Sequence, residues 1–105
     1  MSVGRYSARV DRRQRIEELL RRALAADPVE VIDESHLHAG HAGAAGGGGH
    51  FRALVVSPRF AGLSRVARQR LVYQALAEQM QGAIHALAMR TLTPEEWDTA
   101  RGQEG

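Results

Sequence analysis

The hydrophobic period of this chain switches repeatedly between 3.6 and 2 residues, and the order of those switches limits the fold more than any single motif does. Ile16, Leu19, Leu20, Ala23 and Leu24 recur at helical spacing and predict a one-sided helix. Asp11, with Gln14 three residues on, is its expected cap, and Asp27-Pro28 its end, because a residue before proline is pushed out of the helical region. Val29 and Val31 then alternate with Glu30, which predicts a first strand over Val29 to Glu34. A second strand follows over His50 to Ser57, closed by Pro58. Ser64 is the expected cap of a second helix running to about Gln81, with Gly82 as its stop. On its wheel Val66, Val72, Tyr73, Leu76, Ala77 and Met80 share one arc. A third strand is read over Ala83 to Arg90. Thr93, Pro94, Glu95 and Glu96 then carry the signature of a short helix that Trp97 docks on the body. The expectation is a single α+β domain over residues 11–100, with flexible segments at 1–10 and 101–105.

The stretch between the first two strands, residues 36–49, is a long loop of histidine, alanine and glycine. Its glycine run, Gly46 to Gly49, is not a phosphate cradle. A P-loop needs a lysine and a following helix, and here a strand follows.

The absence of cysteine excludes a disulfide framework, a thiolate nucleophile and any all-cysteine metal site, and it suits a reducing cytosol. No apolar run reaches the ~20 residues that span a bilayer, and the first residues carry no apolar secretory stretch, so the expected location is cytoplasmic, with no membrane contact. All 14 basic residues are arginine and the formal charge is only +2, but no acid occurs between Ser35 and Ala77. Arg52, Arg59, Arg65, Arg68 and Arg70 fall in that window, which suits phosphate, nucleic acid or an acidic partner, or simply a solvated face.

Five histidines are the main candidates for chemistry: His36, His38, His41 and His50 in or beside the loop, and His85 near the start of the third strand. Imidazole is a common ligand for iron, zinc and copper, yet this spacing matches no closed zinc motif. Read from spacing alone, the histidines are half of a metal site, or solvated loop residues plus a partly buried strand residue. Enzymatic sets are missing: Ser35 near His38 has no nucleophile elbow, and Asp33 and Glu34 point to opposite faces of a strand. No catalytic residue is nominated. The turn at Ala61-Gly62 feeds a helix carrying Arg65, Arg68 and Arg70, in the manner of a helix-turn-helix DNA contact. Arg70 sits ~160° from Arg68 on the wheel, so the three do not form one stripe.

In this order the segments resemble the BolA family over Arg12 to Trp97. The resemblance rests on Val31 to Ser35 (VIDES), His38, His50-Phe51, Leu54 to Ser57 (LVVS), Arg59-Phe60 with Gly62, Arg68 to Tyr73 (RQRLVY), Ile84 to Leu87 (IHAL) and Thr93 to Trp97 (TPEEW). It implies a type II K-homology-like fold, helix-strand-strand-helix-strand-helix, with a three-stranded mixed sheet covered by helices. It also implies a monothiol glutaredoxin as partner, and a bridging [2Fe-2S] cluster held by glutaredoxin cysteine, glutathione and two histidines of this chain. The family positions map onto His85 and, three residues after Glu34-Ser35, His38. His41 competes with His38 because the loop is extended here. The isolated chain, expected to be a monomer or a weak homodimer, would carry no cofactor. The resemblance also implies DNA-binding transcriptional regulators. The family's usual Arg-His-Arg is Arg68-Gln69-Arg70 here, which puts any role of that histidine in doubt.

Overall fold

The arginine-rich stretch before Ile16 favours helix strongly enough to carry the first helix upstream of its expected cap. In the computed structural model, which describes residues 8–35 and 48–104, α1 spans Ala8–Leu24 and Asp11 lies inside it instead of capping it. Ile16, Leu20 and Leu24 are buried along one stripe, as their spacing predicts, while Ala23 is exposed. The helix ends at Leu24, before Asp27, because Ala25 turns into the left-handed region at φ 51°. Glu17 ties α1 to the sheet: its Oε2 accepts from Arg13 at 2.9 Å and from the backbone N–H of Val31 at 3.2 Å.

β1 (Val29–Asp33) pairs antiparallel with β2 (Gly49–Val56), and β2 pairs in parallel with β3 (Ile84–Leu92), giving a mixed sheet in the order β1-β2-β3. A parallel pair cannot be joined by a hairpin, so residues 57–83 form the crossover and carry α2 (Arg65–Ala75). α3 (Pro94–Glu104) follows β3 directly.

α1 and α2 cover one face of the sheet. Val29, Val31, Phe51, Ala53, Val55 and Ile84 meet Val72 of α2 and Leu76 at its C-cap there. Glu30, Ile32, Arg52, Leu54, Ala88 and Arg90 line the opposite face. α2 stops well short of Gln81. The Leu76 N–H is shared between Val72 O at 3.1 Å and Tyr73 O at 3.2 Å, which tightens the last turn, and a short 3-10 turn, Gln79–Gln81, completes the connection. Val66 and Tyr73 are not core residues, being 57% and 41% exposed. The buried arc of α2 runs instead through Val72 and Leu76, with Leu71 and Ala75 partly buried beside them.

Of the three caps read from sequence, those of the second and third helices are formed. Ser64 Oγ accepts from the N–H of Ala67 at 3.1 Å. Thr93 and Glu96 make a reciprocal capping box, Glu96 N–H to Thr93 Oγ1 at 3.1 Å and Thr93 N–H to Glu96 Oε1 at 2.9 Å. The box starts an α3 that continues to Glu104, through residues expected to be a flexible tail. Arg101 supports that last turn, pairing with Asp98 and standing over the Trp97 ring at 5.6 Å. Ser57, fully buried, ties three element ends together. Its Oγ donates to Leu24 O at 2.6 Å and accepts from the N–H of Arg59 at 3.0 Å, and its own N–H donates to Leu92 O at 2.9 Å.

Candidate functional site

The long loop leaves and rejoins the sheet at one end, and its two anchors are bonded to each other. Ser35 Oγ accepts from the N–H of His50 at 3.1 Å, and the Glu34 N–H donates to His50 O at 2.7 Å. Where β2 meets β3 the register slips: Gly49 pairs with Ile84 but His50 with Ala86, so His85 is the extra residue of a bulge. Bulges re-aim side chains. Here Ile84 stays in the core while His85 is exposed, with its ring 5.1 Å from that of the half-buried His50 at an interplanar angle of 46°. His50 Nε2 lies buried. Arg12 reaches the same corner, its Nη1 donating to Ala83 O at 3.2 Å.

Gly48 explains part of the glycine run. A Cβ there would stand 2.9 Å from His85 Cβ and 3.0 Å from Gly82 O, so a side chain cannot pass over this corner without moving the backbone. Gly48→Ala is therefore expected to cost about 1–3 kcal/mol and to shift the His85 ring resonances in an imidazole nitrogen spectrum. An unshifted His85 with full stability would mean the close approach is absent in solution.

Of the residues nominated from sequence, His50, His85 and the three arginines are described. His38 and His41, with His36, lie outside the described residues. Among the described residues no three metal-ligating side chains converge. The sequence reading did not single out His50 as the neighbour of His85, because that contact depends on a register slip between strands distant in the chain.

The arginines of α2 separate into two groups. Arg68 is 13% exposed and uses its fork within the fold. Nε donates to Leu63 O at 3.0 Å, Nη1 to Thr91 O at 3.1 Å and to Glu96 Oε1 at 2.7 Å, and Nη2 to Glu96 Oε2 at 3.2 Å. Its guanidinium also stands 5.9 Å over the ring of buried Phe60. Arg65 and Arg70 are exposed and make no ion pair among the described residues. Arg68 is thus the cation of α2 engaged within the fold, while Arg65 and Arg70 stand at the surface.

The Arg68 hydrogen bond, then the Thr93 N–H, hold the Glu96 carboxyl down to about 2, and the same pair raises Arg68. A folded-state value below the unfolded one stabilises the fold above the ordinary carboxylate range, and that contribution is lost as pH falls through about 2. Trp97, the single tryptophan, sits next to Glu96 and reports on α3. Its fluorescence is expected to hold from neutral pH to about pH 3 and to change below that, whereas in Arg68→Ala the change should move up toward the ordinary carboxylate range. An identical acid profile in both proteins would remove the pair from the acid response.

Comparison with known proteins places this arrangement. Residues 8–96 match a family model described as BolA-like protein. The chain is 43% identical over 86 residues to the DNA-binding transcriptional regulator BolA of Escherichia coli, covering 82% of this chain and 79% of that one. It is 45% identical over 82 residues to mouse BolA-like protein 1, covering 78% of this chain and 58% of that longer relative. Among solved structures, the BolA domain of SufE1 from Arabidopsis thaliana superposes with a TM-score of 0.71 at 39% identity, over 81% of this chain and 94% of that domain.

Proposed function

The chain belongs to the BolA family, and on that premise we propose that it is a non-enzymatic adaptor that pairs with a monothiol glutaredoxin and shares a bridging [2Fe-2S] cluster with it. The observation that carries this reading is the exposed imidazole of His85, aimed outward by a bulge at the corner where the long loop is anchored. The chain has no thiolate of its own, so the donor set fits one side of a shared cluster, with cysteine and glutathione sulfur supplied by the partner. His38 is the second ligand in this reading. It lies three residues from Ser35, and three residues span at most about 10–11 Å, which brings it within reach of the corner where Ser35, His50 and His85 meet. His41 is within the same kind of reach and is the alternative loop ligand. When bound, such a cluster supplies iron–sulfur trafficking or iron and redox sensing; the chain's own part is to present imidazoles at a fixed edge of the sheet. A reducing cytoplasm, where the partner's thiols stay available, is the matching compartment.

The test is to mix the chain anaerobically with a cluster-loaded monothiol glutaredoxin and record visible absorption and circular dichroism. A changed cluster spectrum in a stable one-to-one complex is the expected result. No complex and no spectral change would overturn the reading.

A second reading, a DNA-binding regulator, is supported by the similarity to the DNA-binding transcriptional regulator BolA of E. coli and by the exposed Arg65 and Arg70. Its affinity should fall steeply with salt, since each phosphate contact releases counterions.

A further inference from the structure

We propose that the outer edge of β3 pairs with the same edge of a second copy of this chain, making a two-fold dimer with one continuous sheet. The sheet order β1-β2-β3 leaves two edges, and the fold treats them differently. β1 is five residues long, and the outward N–H of Val31 is taken by Glu17 Oε2 at 3.2 Å. β3 is nine residues long. Its middle, Ala86, Leu87, Ala88 and Met89, carries no charge, proline or bulge, the devices that usually keep an edge from pairing. The bonds at the end of the strand give the backbone directions. Leu92 O accepts from Ser57, which follows β2, whereas Thr91 O turns the other way and accepts from Arg68 at 3.1 Å. Successive residues of a strand present N–H and C=O to alternate sides, so Leu87 and Met89 face outward like Thr91. Their outward groups have no partner among the described residues.

Register selects a second copy as the occupant. With Ala88 on a two-fold axis, Leu87 lies opposite Met89 of the second copy, and the two exchange both N–H and C=O bonds on each side of the axis. Ala88 then faces its own copy in the close pair that shares no hydrogen bond, about 4.5 Å between Cα atoms, where a small side chain fits. Arg90 falls opposite Ala86, so no like charges meet. Moving the axis to Met89 sets Leu87 against Thr91, whose oxygen Arg68 already holds; moving it to Leu87 sets Met89 against the bulged His85. A longer foreign strand would run into the same two obstacles. So short a pairing buries less than the ~1,200 Å² of a standard interface, which makes the dimer weak, with Kd on the order of 0.1–1 mM. The inference stands on backbone geometry and does not rest on the cluster reading.

The test follows sedimentation equilibrium and backbone amide exchange of the full chain alone, from about 20 µM to about 2 mM. The expected result is a mass rising from 11.5 kDa toward twice that, with the Leu87 and Met89 amides slowing as it rises and the Val31 amide unchanged. Ala88 is exposed, so its replacement should leave the fold intact. Ala88→Glu sets two carboxylates together on the axis and should weaken self-association by about tenfold or more, and an equal mixture of Ala88→Glu with Ala88→Lys should restore it. A chain that stays monomeric, self-association undiminished by Ala88→Glu, no recovery in the mixture, or slowing confined to other amides would overturn the pairing. Slowing that appears only when a monothiol glutaredoxin is added to the dilute chain would assign the edge to that partner and overturn it too. Should either variant fail to fold, the amide pattern of the parent decides alone. Because self-association is measured without glutaredoxin, its failure leaves the cluster reading to its own test.

Discussion

His85→Ala is expected to abolish the mixed-ligand cluster spectrum with a monothiol glutaredoxin while leaving the chain folded. His85 is exposed and makes no backbone pairing in the bulge, so its loss should change stability by no more than about 0.5 kcal/mol. His38→Ala should have a smaller effect, because His41 lies on the same loop, and the double replacement His38→Ala with His41→Ala should approach the His85 result. The comparison separates two failures. If His85→Ala keeps the normal cluster spectrum, the ligand assignment is wrong although partnership can stand. If it loses the complex altogether, His85 also supports docking. A normal spectrum in both His85→Ala and the loop double variant would falsify the histidine ligation proposed here.

What the sequence displayed of this site followed the reach of each interaction. Ser64 and the Thr93–Glu96 box act within one helical turn, and both were legible as caps and are formed. The burial of Ile16, Leu20 and Leu24 and the alternation of Val29 and Val31 were legible because one face of each element meets the core. The limits of the elements were less so. Left-handed Ala25 ended α1 early, and the Arg101–Asp98 pair with Trp97 carried α3 past its expected end. On α2 the apolar arc misled, because Val66 and Tyr73 lie about 100–120° around the wheel from Val72, beyond the part that meets the sheet. The site itself depends on contacts that no local pattern encodes. A slip of one residue between β2 and β3 turns His85 toward His50, and a one-residue slip always changes the face a side chain occupies. His85 was assigned a ligand role through its place in a family motif; His50, one of the five candidate histidines, was given none, because its contact with His85 arises only once the two strands are paired.

Arg68→Ala is expected to destabilise the protein by about 2–4 kcal/mol, lowering the melting temperature on the order of 10 °C or more. The reason is the number of groups stranded together. Leu63 O and Thr91 O lose their donor, Glu96 loses its bidentate partner, and Phe60 loses the guanidinium over its ring. Arg68→Lys keeps the charge but cannot reproduce the fork, so it should fall between the two. Near-ultraviolet dichroism and Trp97 fluorescence should change along with the melting temperature, since the clamp joins α2 and the end of β3 to α3. This bears directly on the regulator reading. A loss of DNA binding on replacing Arg68 would reflect a damaged fold, not a missing phosphate contact. The informative replacements are Arg65→Gln and Arg70→Gln, exposed positions whose change should leave stability within about 0.5 kcal/mol. If α2 contacts DNA, each should weaken binding across sequences and lower the salt slope by about one. Should Arg68→Ala melt at the parent temperature, the clamp contributes nothing, and Arg68 returns to the set of cations free to meet a phosphate.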